Sequence, residues 1–394
     1  MVARPPPLDG VRVLDLTRYL AGPFCTMLLG DYGADVVKVE PRGQREFRNP
    51  DADRDSYFFL SANRSKRSLT LDVKSQEGRD LLLRILPHFD VVVENFRPGV
   101  MQALGLGAEV LCGRHRRLVY CALSGFGPDG PYKDRPGFDQ IAQGMSGFMS
   151  ITGTPESGPT RAGIAIADLL AGIFAAHGVT LALLERERSG EGQVVNASLL
   201  EGMVSILSWS AGIYFDSGQA PGPAGQHHPL ASPYGRFRAG DGYLNLAAAQ
   251  QPMFEKLARA LDRPDWLDDE RFRDVPRRVV HRDALSEELE SVLAGADVDH
   301  WVEVINAAGV PAGPVLDLAQ VFSDPQVLAR GMRVALPHPE IGTFETTGLP
   351  VKLEGSPAAI ERRPPLQGEH SDDVLAECGL SPDEIAGLRQ ADVI

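Results

Sequence analysis

Short apolar runs alternate with longer mixed stretches over residues 8–125, and this alternation predicts strand–helix–strand units. Residues 11–16 (VRVLDL) have the length and branched content of a buried strand. Residues 20–30 have the small-residue content of a helix that Gly33 ends, and residues 34–40 (ADVVKVE) read as a second strand. Strand, helix and strand within about 30 residues form a βαβ unit, which implies a parallel sheet. The pattern recurs: 67–72 as strand, 75–87 as helix with Ser75 as N-cap, then 90–94 (DVVVE) and 118–123 (LVYCAL) as strands. The fold class expected is α/β, with a doubly wound parallel sheet in a large domain.

Residues 163–185 form a long, nearly all-apolar pattern, expected as a helix buried on every side. A turn into a strand (190–195) and another apolar helix (199–215) follow. Composition then shifts to Gly, Pro and His over 217–233, the best domain boundary in the chain. Beyond it, 234–238 and 243–247 flank Ala239-Gly240-Asp241-Gly242, a hairpin signal, and amphipathic helices are expected at 252–261, 281–293 and 298–308. The division expected is a large domain (1–200), a linker (201–233), a smaller α+β domain (234–335) and a C-terminal segment (336–394). That last segment carries a helix over 372–378, stopped by Gly379.

Charge narrows the partners. The 394 residues carry 39 Lys+Arg against 53 Asp+Glu, a net charge of −14. Polyanion binders need a basic face, so neither nucleic acid nor an anionic membrane is expected as a partner. An anionic small molecule would have to be held by local clusters of Arg and Lys. Four scattered cysteines with no CxxC pair argue against a disulfide framework and a Cys-based zinc site. MVARPPPLDG lacks the apolar run of a signal peptide, and the one stretch of membrane-spanning length (163–184) is interrupted by Asp168 and His177. A cytoplasmic enzyme or binding protein is expected.

In a doubly wound sheet, ligands bind beyond the carboxyl ends of the strands. The first such turn reads Thr17-Arg18-Tyr19-Leu20-Ala21-Gly22-Pro23, with one Gly where a dinucleotide site needs GxGxxG. Glu40 ends the second strand as a ribose-binding acid would, but without the glycines an NAD-dependent oxidoreductase is disfavoured. Arg64, Lys66, Arg67 and Lys74 cluster nearby, and Asn95-Phe96-Arg97-Pro98-Gly99 follows the next strand. Cations at adjacent strand ends suit a phosphate-bearing ligand, with Phe96 as an apolar contact; a solvated charged surface accounts for them equally well. Asp168 stands alone among Ala, Ile, Leu and Gly. It is either a first-turn carboxylate stabilised by the helix dipole or a base or covalent nucleophile, and its small neighbours leave room for a reacting carbon. Asp139 reads as an N-cap just ahead of its own helix. His227-His228 has no third ligand at suitable spacing, so no metal site is expected.

Together these residues make the chain resemble the class III CoA-transferases (CaiB/BaiF type), the family that also contains the α-methylacyl-CoA racemases. The resemblance runs over about residues 8–394 and rests on motifs in a fixed order: Leu8 to Asp15, Ala21-Gly22-Pro23, Gly33 to Glu40, Lys66-Arg67-Ser68, Glu94 to Gly99, Gly190-Glu191-Gly192-Gln193, Gly309-Val310-Pro311 and Gly368-Glu369-His370. It implies that Asp168 is the nucleophile. Its carboxylate attacks an acyl-CoA thioester to give a mixed anhydride, the thiolate returns to give an enzyme–CoA thioester, and the acceptor acid reverses both steps. It also implies Asp139 in a supporting role, and CoA contacts at Leu20, Ala21, Leu71, Asp72, Val73, Lys74, Asn95, Phe96 and Arg97, with Arg42 replacing an arginine at Pro41. Arg18, Tyr19, Gln140 and His228 are the candidates for the acceptor carboxylate.

The racemase branch carries a proton-transferring His directly after the Gly that here is Gly137; this chain has Phe138, which cannot move a proton. Residues 137–163, 309–311 and 322–326 resemble members acting on succinyl-CoA and other dicarboxylic acids. CoA is then a substrate, with no tightly bound cofactor, and the expected assembly is an interlocked, ring-like homodimer whose C-terminal tail returns to the large domain. The competing functions are a 2-methylacyl-CoA racemase, an NAD-dependent oxidoreductase and a non-catalytic CoA-binding protein.

Overall fold

A computed structural model describes residues 4–43, 48 and 55–394. Six strands, β1 (Arg12–Asp15), β2 (Asp35–Glu40), β3 (Lys66–Thr70), β4 (Val91–Glu94), β5 (Val119–Ser124) and β6 (Val194–Ser198), form one sheet in the order β3-β2-β1-β4-β5-β6. Every neighbouring pair is parallel; Val13 of β1 lies opposite Val36 on one side and Val91 on the other. A parallel sheet is covered on both faces, which is why these strands read as near-continuous apolar runs. Leu14, Val37, Leu69 and Val92 pack on one face with Leu82 of the Gln76–Ile85 helix and with Val374, Leu375 and Ile385 near the C-terminus. On the other face Val13, Val36, Val91 and Val119 meet Cys25 and Leu29 of the Ala21–Asp31 helix and Ala171, Ala175 and Val179 of the Ile166–Ser189 helix. Strand order reverses between β1 and β4, so a crevice opens at their carboxyl ends.

The long helix, Ile166–Ser189, is not buried on every side. Ala171, Ala175, Val179 and Ala182 form its inner stripe, whereas Ile173, Phe174, Leu181 and Leu184 are exposed. Its length and apolar composition would suit a membrane span, yet one face is built into the core of the domain. Small residues on the inner stripe permit close approach: a Cβ on Gly172 would fall 2.7 Å from the Ala21 carbonyl oxygen. The apolar stretch after β6 forms two helices, Leu199–Ser205 and Ser208–Ser217, the second starting at Ser208 with φ +45°.

The chain divides into two compact units, one of residues 1–148, 162–212 and 326–394, the other of residues 149–161 and 213–325. The second holds the antiparallel hairpin Tyr234–Arg238 and Tyr243–Ala247, joined by Ala312–Pro314. Its core gathers Phe237, Leu244, Phe254, Leu257, Trp266, Leu285 and Leu289. This division differs from the one expected from composition in three places, two of them through contacts between distant residues. Residues 149–161 join the second unit, where the Gly225 N–H donates to the Gly153 carbonyl at 2.9 Å. Residues 326–335 join the first, because the hairpin Arg333–His338 and Gly342–Thr347 brings Phe344 against Phe59 and Leu60. Residues 201–212, counted as linker although helix was expected over 199–215, belong to the first unit and are helical at 201–205 and 208–212.

Candidate active site

The loop after β1 is clamped from beneath by buried charges. The Asp15 carboxylate accepts from the Thr17 N–H at 2.9 Å, Thr26 Oγ1 at 2.7 Å and Lys66 Nζ at 2.9 Å. Lys66 also donates to the Pro23 carbonyl at 2.9 Å, and Lys38 donates to the Thr17 carbonyl at 2.8 Å. Burial alone would raise Asp15, but Lys38, Lys66 and the two threonines hold it well below the usual carboxylate range. Burial pulls Lys66 down to about 8 against the attraction of Asp15. Gly22 is required here, since a Cβ would lie 2.4 Å from Cβ of Thr17. Above this base Tyr19 stands at φ +64°, a left-handed conformation that strains a bulky residue and turns its ring outward, half exposed.

The loop after β4 is tied to the first one by a side chain. Asn95 Oδ1 accepts from the Arg18 N–H at 2.8 Å and its Nδ2 donates to the Arg18 carbonyl at 2.7 Å. The Arg18 guanidinium lies 5.1 Å from the centre of the Phe96 ring, a cation–π arrangement. Beneath, buried Glu94 accepts from the Phe96 N–H at 2.8 Å and the Tyr120 hydroxyl at 3.2 Å. Burial outweighs both bonds and pushes Glu94 up to about 7.

Asp168 occupies the third position of the long helix, where the residue before the helix, Ala165, supplies no side-chain cap. The cap comes from elsewhere: Asp139 Oδ1 accepts the Ala167 N–H at 2.9 Å, and its Oδ2 accepts from Gln143 Nε2 at 2.7 Å. Gln143 Oε1 in turn accepts the Ala162 N–H at 2.9 Å. Asp139 therefore caps the helix that carries Asp168, not its own as sequence reasoning had it; it lies at the first position of Asp139–Met145. Asp168 itself makes no hydrogen bond or ion pair among the described residues, and it stands in the first turn of the helix, where the helix dipole favours a carboxylate. Burial, then the neighbouring charge of Asp139, push its carboxyl up to about 7.

Asp168, Arg18, Tyr19, Ala21, Asn95, Phe96 and Arg97 line one cleft of 280 Å³. Lys133, Arg135, Gly125, Gly137 and Phe138 complete its wall. Sequence reasoning missed Lys133 and Arg135; the available signal was two cations in a Pro- and Gly-bounded loop following β5, at the same strand edge. Gly125 and Gly137 let two loop segments touch, since a Cβ on either would fall 2.8 Å from the other's Cα. A chain of net charge −14 thus gathers four cations around one carboxylate. A second, smaller cleft shares Arg18 and Phe96 with the first and is lined by Pro41, Leu71, Asp72, Val73 and Lys74.

Other residues singled out from the sequence lie elsewhere. Arg64 is buried on Asp31 at 2.8 Å, Lys66 on Asp15, and Arg67 on Asp35 at 2.5 Å and Glu377 at 2.8 Å, so of the proposed phosphate cluster only Lys74 is exposed. Glu40 is bound by Arg48 through two 2.7 Å contacts. Arg42 pairs with Asp392. Leu20 precedes the first helix and Gln140 is exposed; neither lines the cleft. His228 belongs to the second unit, stacked 5.0 Å from Tyr234.

Residues 8–371 match the family described as CoA-transferase family III. The chain belongs to that family. It is 38% identical to a succinate–glutarate CoA-transferase of Agrobacterium fabrum, over 96% of this chain and 97% of that one. It is 35% identical to a succinyl-CoA–D-citramalate CoA-transferase of Chloroflexus aurantiacus, over 99% of each. The crystal structure of a CaiB/BaiF family protein from Brucella suis superposes with a TM-score of 0.86 at 36% identity, covering 95% of this chain and all of that one. The enzyme is accordingly a CoA-transferase, with CoA as a substrate of its chemistry.

Proposed function

We propose that the enzyme moves CoA from succinyl-CoA or another dicarboxylic acyl-CoA to a free carboxylic acid, through covalent intermediates on Asp168. The observation that carries this reading is Asp168 itself: a carboxyl with no hydrogen-bond partner among the described residues, lifted to about 7, in the wall of a largely apolar cleft that Arg18, Arg97, Lys133 and Arg135 also line. A carboxylate of raised basicity is a better nucleophile toward a thioester than an ordinary one. An Asp168 oxygen attacks the thioester carbonyl and the CoA thiolate leaves, giving an acyl–aspartyl anhydride. The thiolate then attacks the Asp168 carbonyl carbon and releases the donor acid, leaving an enzyme–CoA thioester. The acceptor carboxylate attacks that thioester, and the freed thiolate takes the new acyl group and restores Asp168.

The small cleft at Leu71–Lys74 and the main cleft share Arg18 and Phe96, a layout that suits an extended ligand with a charged end near Lys74 and a reacting end near Asp168. Arg18, Arg97, Lys133 and Arg135 supply the cations that an anionic acyl group and an acceptor carboxylate need. Two of the relatives described above are named for succinate or succinyl-CoA and a second dicarboxylic acid, which supports the substrate class. Phe138 in the cleft wall speaks against the racemase reading. The exposed Ile173, Phe174, Leu181 and Leu184 support a homodimer, and four free thiols suit the cytoplasm. The test incubates the enzyme with succinyl-CoA and a panel of mono- and dicarboxylic acids and follows new acyl-CoA esters by chromatography. Transfer to dicarboxylic acceptors is expected; α-proton exchange in a 2-methylacyl-CoA without any transfer would overturn the reading.

A further inference from the structure

Two aromatic side chains in the cleft wall have no place in the chemistry just described. Tyr19 and Phe138 come from the loops after β1 and β5, and their rings meet edge to face, 6.0 Å apart at 87°. Both line the cleft that contains Asp168, and they are 50% and 59% exposed. Their backbones are fixed. Tyr19 is held at φ +64° between Arg18, pinned on both sides by Asn95, and Leu20, whose carbonyl accepts the Phe24 N–H at 2.8 Å. Phe138 lies between Gly137, locked against Gly125, and Asp139, bound to the helix of Asp168. Strain at a bulky residue persists where the surroundings over-determine it, and such strain clusters at ligand clamps.

We propose that the Tyr19–Phe138 pair is a water-excluding gate that sets the ratio of CoA transfer to hydrolysis at Asp168. This rests on the covalent reading above. Both covalent intermediates are open to water: attack on the anhydride or on the enzyme–CoA thioester adds water oxygen to a carbonyl carbon. It breaks the C–O or C–S bond, leaves a free acid or free CoA with the proton, and wastes one activated ester. The Phe138 ring offers water no hydrogen-bonding group, and it meets the Tyr19 ring edge to face, so the pair presents an apolar edge at a largely apolar cleft that also holds four cations.

The test measures free CoA and product acyl-CoA after incubation with succinyl-CoA, with and without an acceptor acid. It compares the wild type with Tyr19→Ala, Phe138→Ala and the double variant, and with Tyr19→Phe and Phe138→Leu as apolar replacements. The alanine variants are expected to raise the hydrolysis-to-transfer ratio by about tenfold. The double variant should be no worse than either single one, because one ring alone cannot close the edge. The Phe and Leu replacements should keep the wild-type hydrolysis-to-transfer ratio, whatever their overall rate. Loss of transfer and hydrolysis together, at an unchanged ratio, would overturn the gate while leaving the covalent reading in place. Failure of the wild type to transfer CoA or form an adduct on Asp168 would overturn both.

Discussion

Replacing Asp168 by Asn should end turnover and, above neutral pH, make the protein more stable. The carboxyl has an ordinary value of 3.8 and is lifted to about 7 by burial and by Asp139. Holding it ionised in the folded state therefore costs up to about 4 kcal/mol, at about 1.4 kcal/mol per tenfold change in proton affinity. The cleft is open to solvent, and screening there reduces the figure to roughly 2 kcal/mol. The sign follows from proton counts. Below pH 4 the group is protonated folded and unfolded, and nothing is lost. Between 4 and 7 the folded chain binds more protons than the unfolded one, so this contribution falls as pH rises, and above 7 it is constant. Asparagine has the same shape and no charge to desolvate, so the variant's advantage should be near zero at pH 4 and full by pH 8. Urea unfolding of both proteins across that range measures it, because other titrating groups are common to both and cancel. A variant no more stable than wild type at pH 8 would refute the claim that Asp168 is an uncompensated, desolvated carboxyl. Turnover should fall by at least about a thousandfold, and wild-type kcat/KM should rise through pH 7 as the nucleophile ionises.

Other consequences are as specific. Asp139→Asn keeps an oxygen for the Ala167 N–H but removes a like charge, so the acidic limb of the pH–rate profile should move to lower pH; an unmoved limb would show that Asp139 exerts no field on Asp168. Lys66→Met leaves Asp15 buried without its closest cation and should cost about 3–5 kcal/mol in urea unfolding; a loss under 1 kcal/mol would mean the network beneath the first loop is not taut. Asn95→Ala removes both bonds to the Arg18 backbone, each worth about 1 kcal/mol, and should raise KM for acyl-CoA by about tenfold with little change in kcat. An unchanged KM would deny that Asn95 shapes the cleft.

Local signals in the sequence carried well. The spacing of apolar runs marks the parallel strands, Ser75 caps its helix by accepting the Gly78 N–H at 2.9 Å, and the hairpin after the linker has the strand bounds that Ala239-Gly240-Asp241-Gly242 implied. Asp168 stands out because a lone carboxylate in an apolar run demands a physical explanation. Long-range pairing was not legible. Arg64, Lys66 and Arg67 look like phosphate ligands until their partners are known, and those partners, Asp31, Asp15, Asp35 and Glu377, lie on other elements. Asp139 has the context of a cap for its own helix, but the fold delivers a different helix terminus to it. The hairpin at Arg333–His338 and Gly342–Thr347 has only a weak two-residue alternation and was passed over. Phe138 entered the sequence argument for what it cannot do, and its contact with Tyr19 required the fold.

The most direct test of the account is covalent trapping. Enzyme incubated with succinyl-CoA is quenched with hydroxylamine or borohydride, digested and mapped by mass spectrometry. The account predicts an aspartyl hydroxamate, or the reduced side chain, at Asp168 and nowhere else, with no such product in Asp168→Asn. An unmodified Asp168 in an enzyme that is transferring CoA, or a modification on another carboxylate, would contradict it.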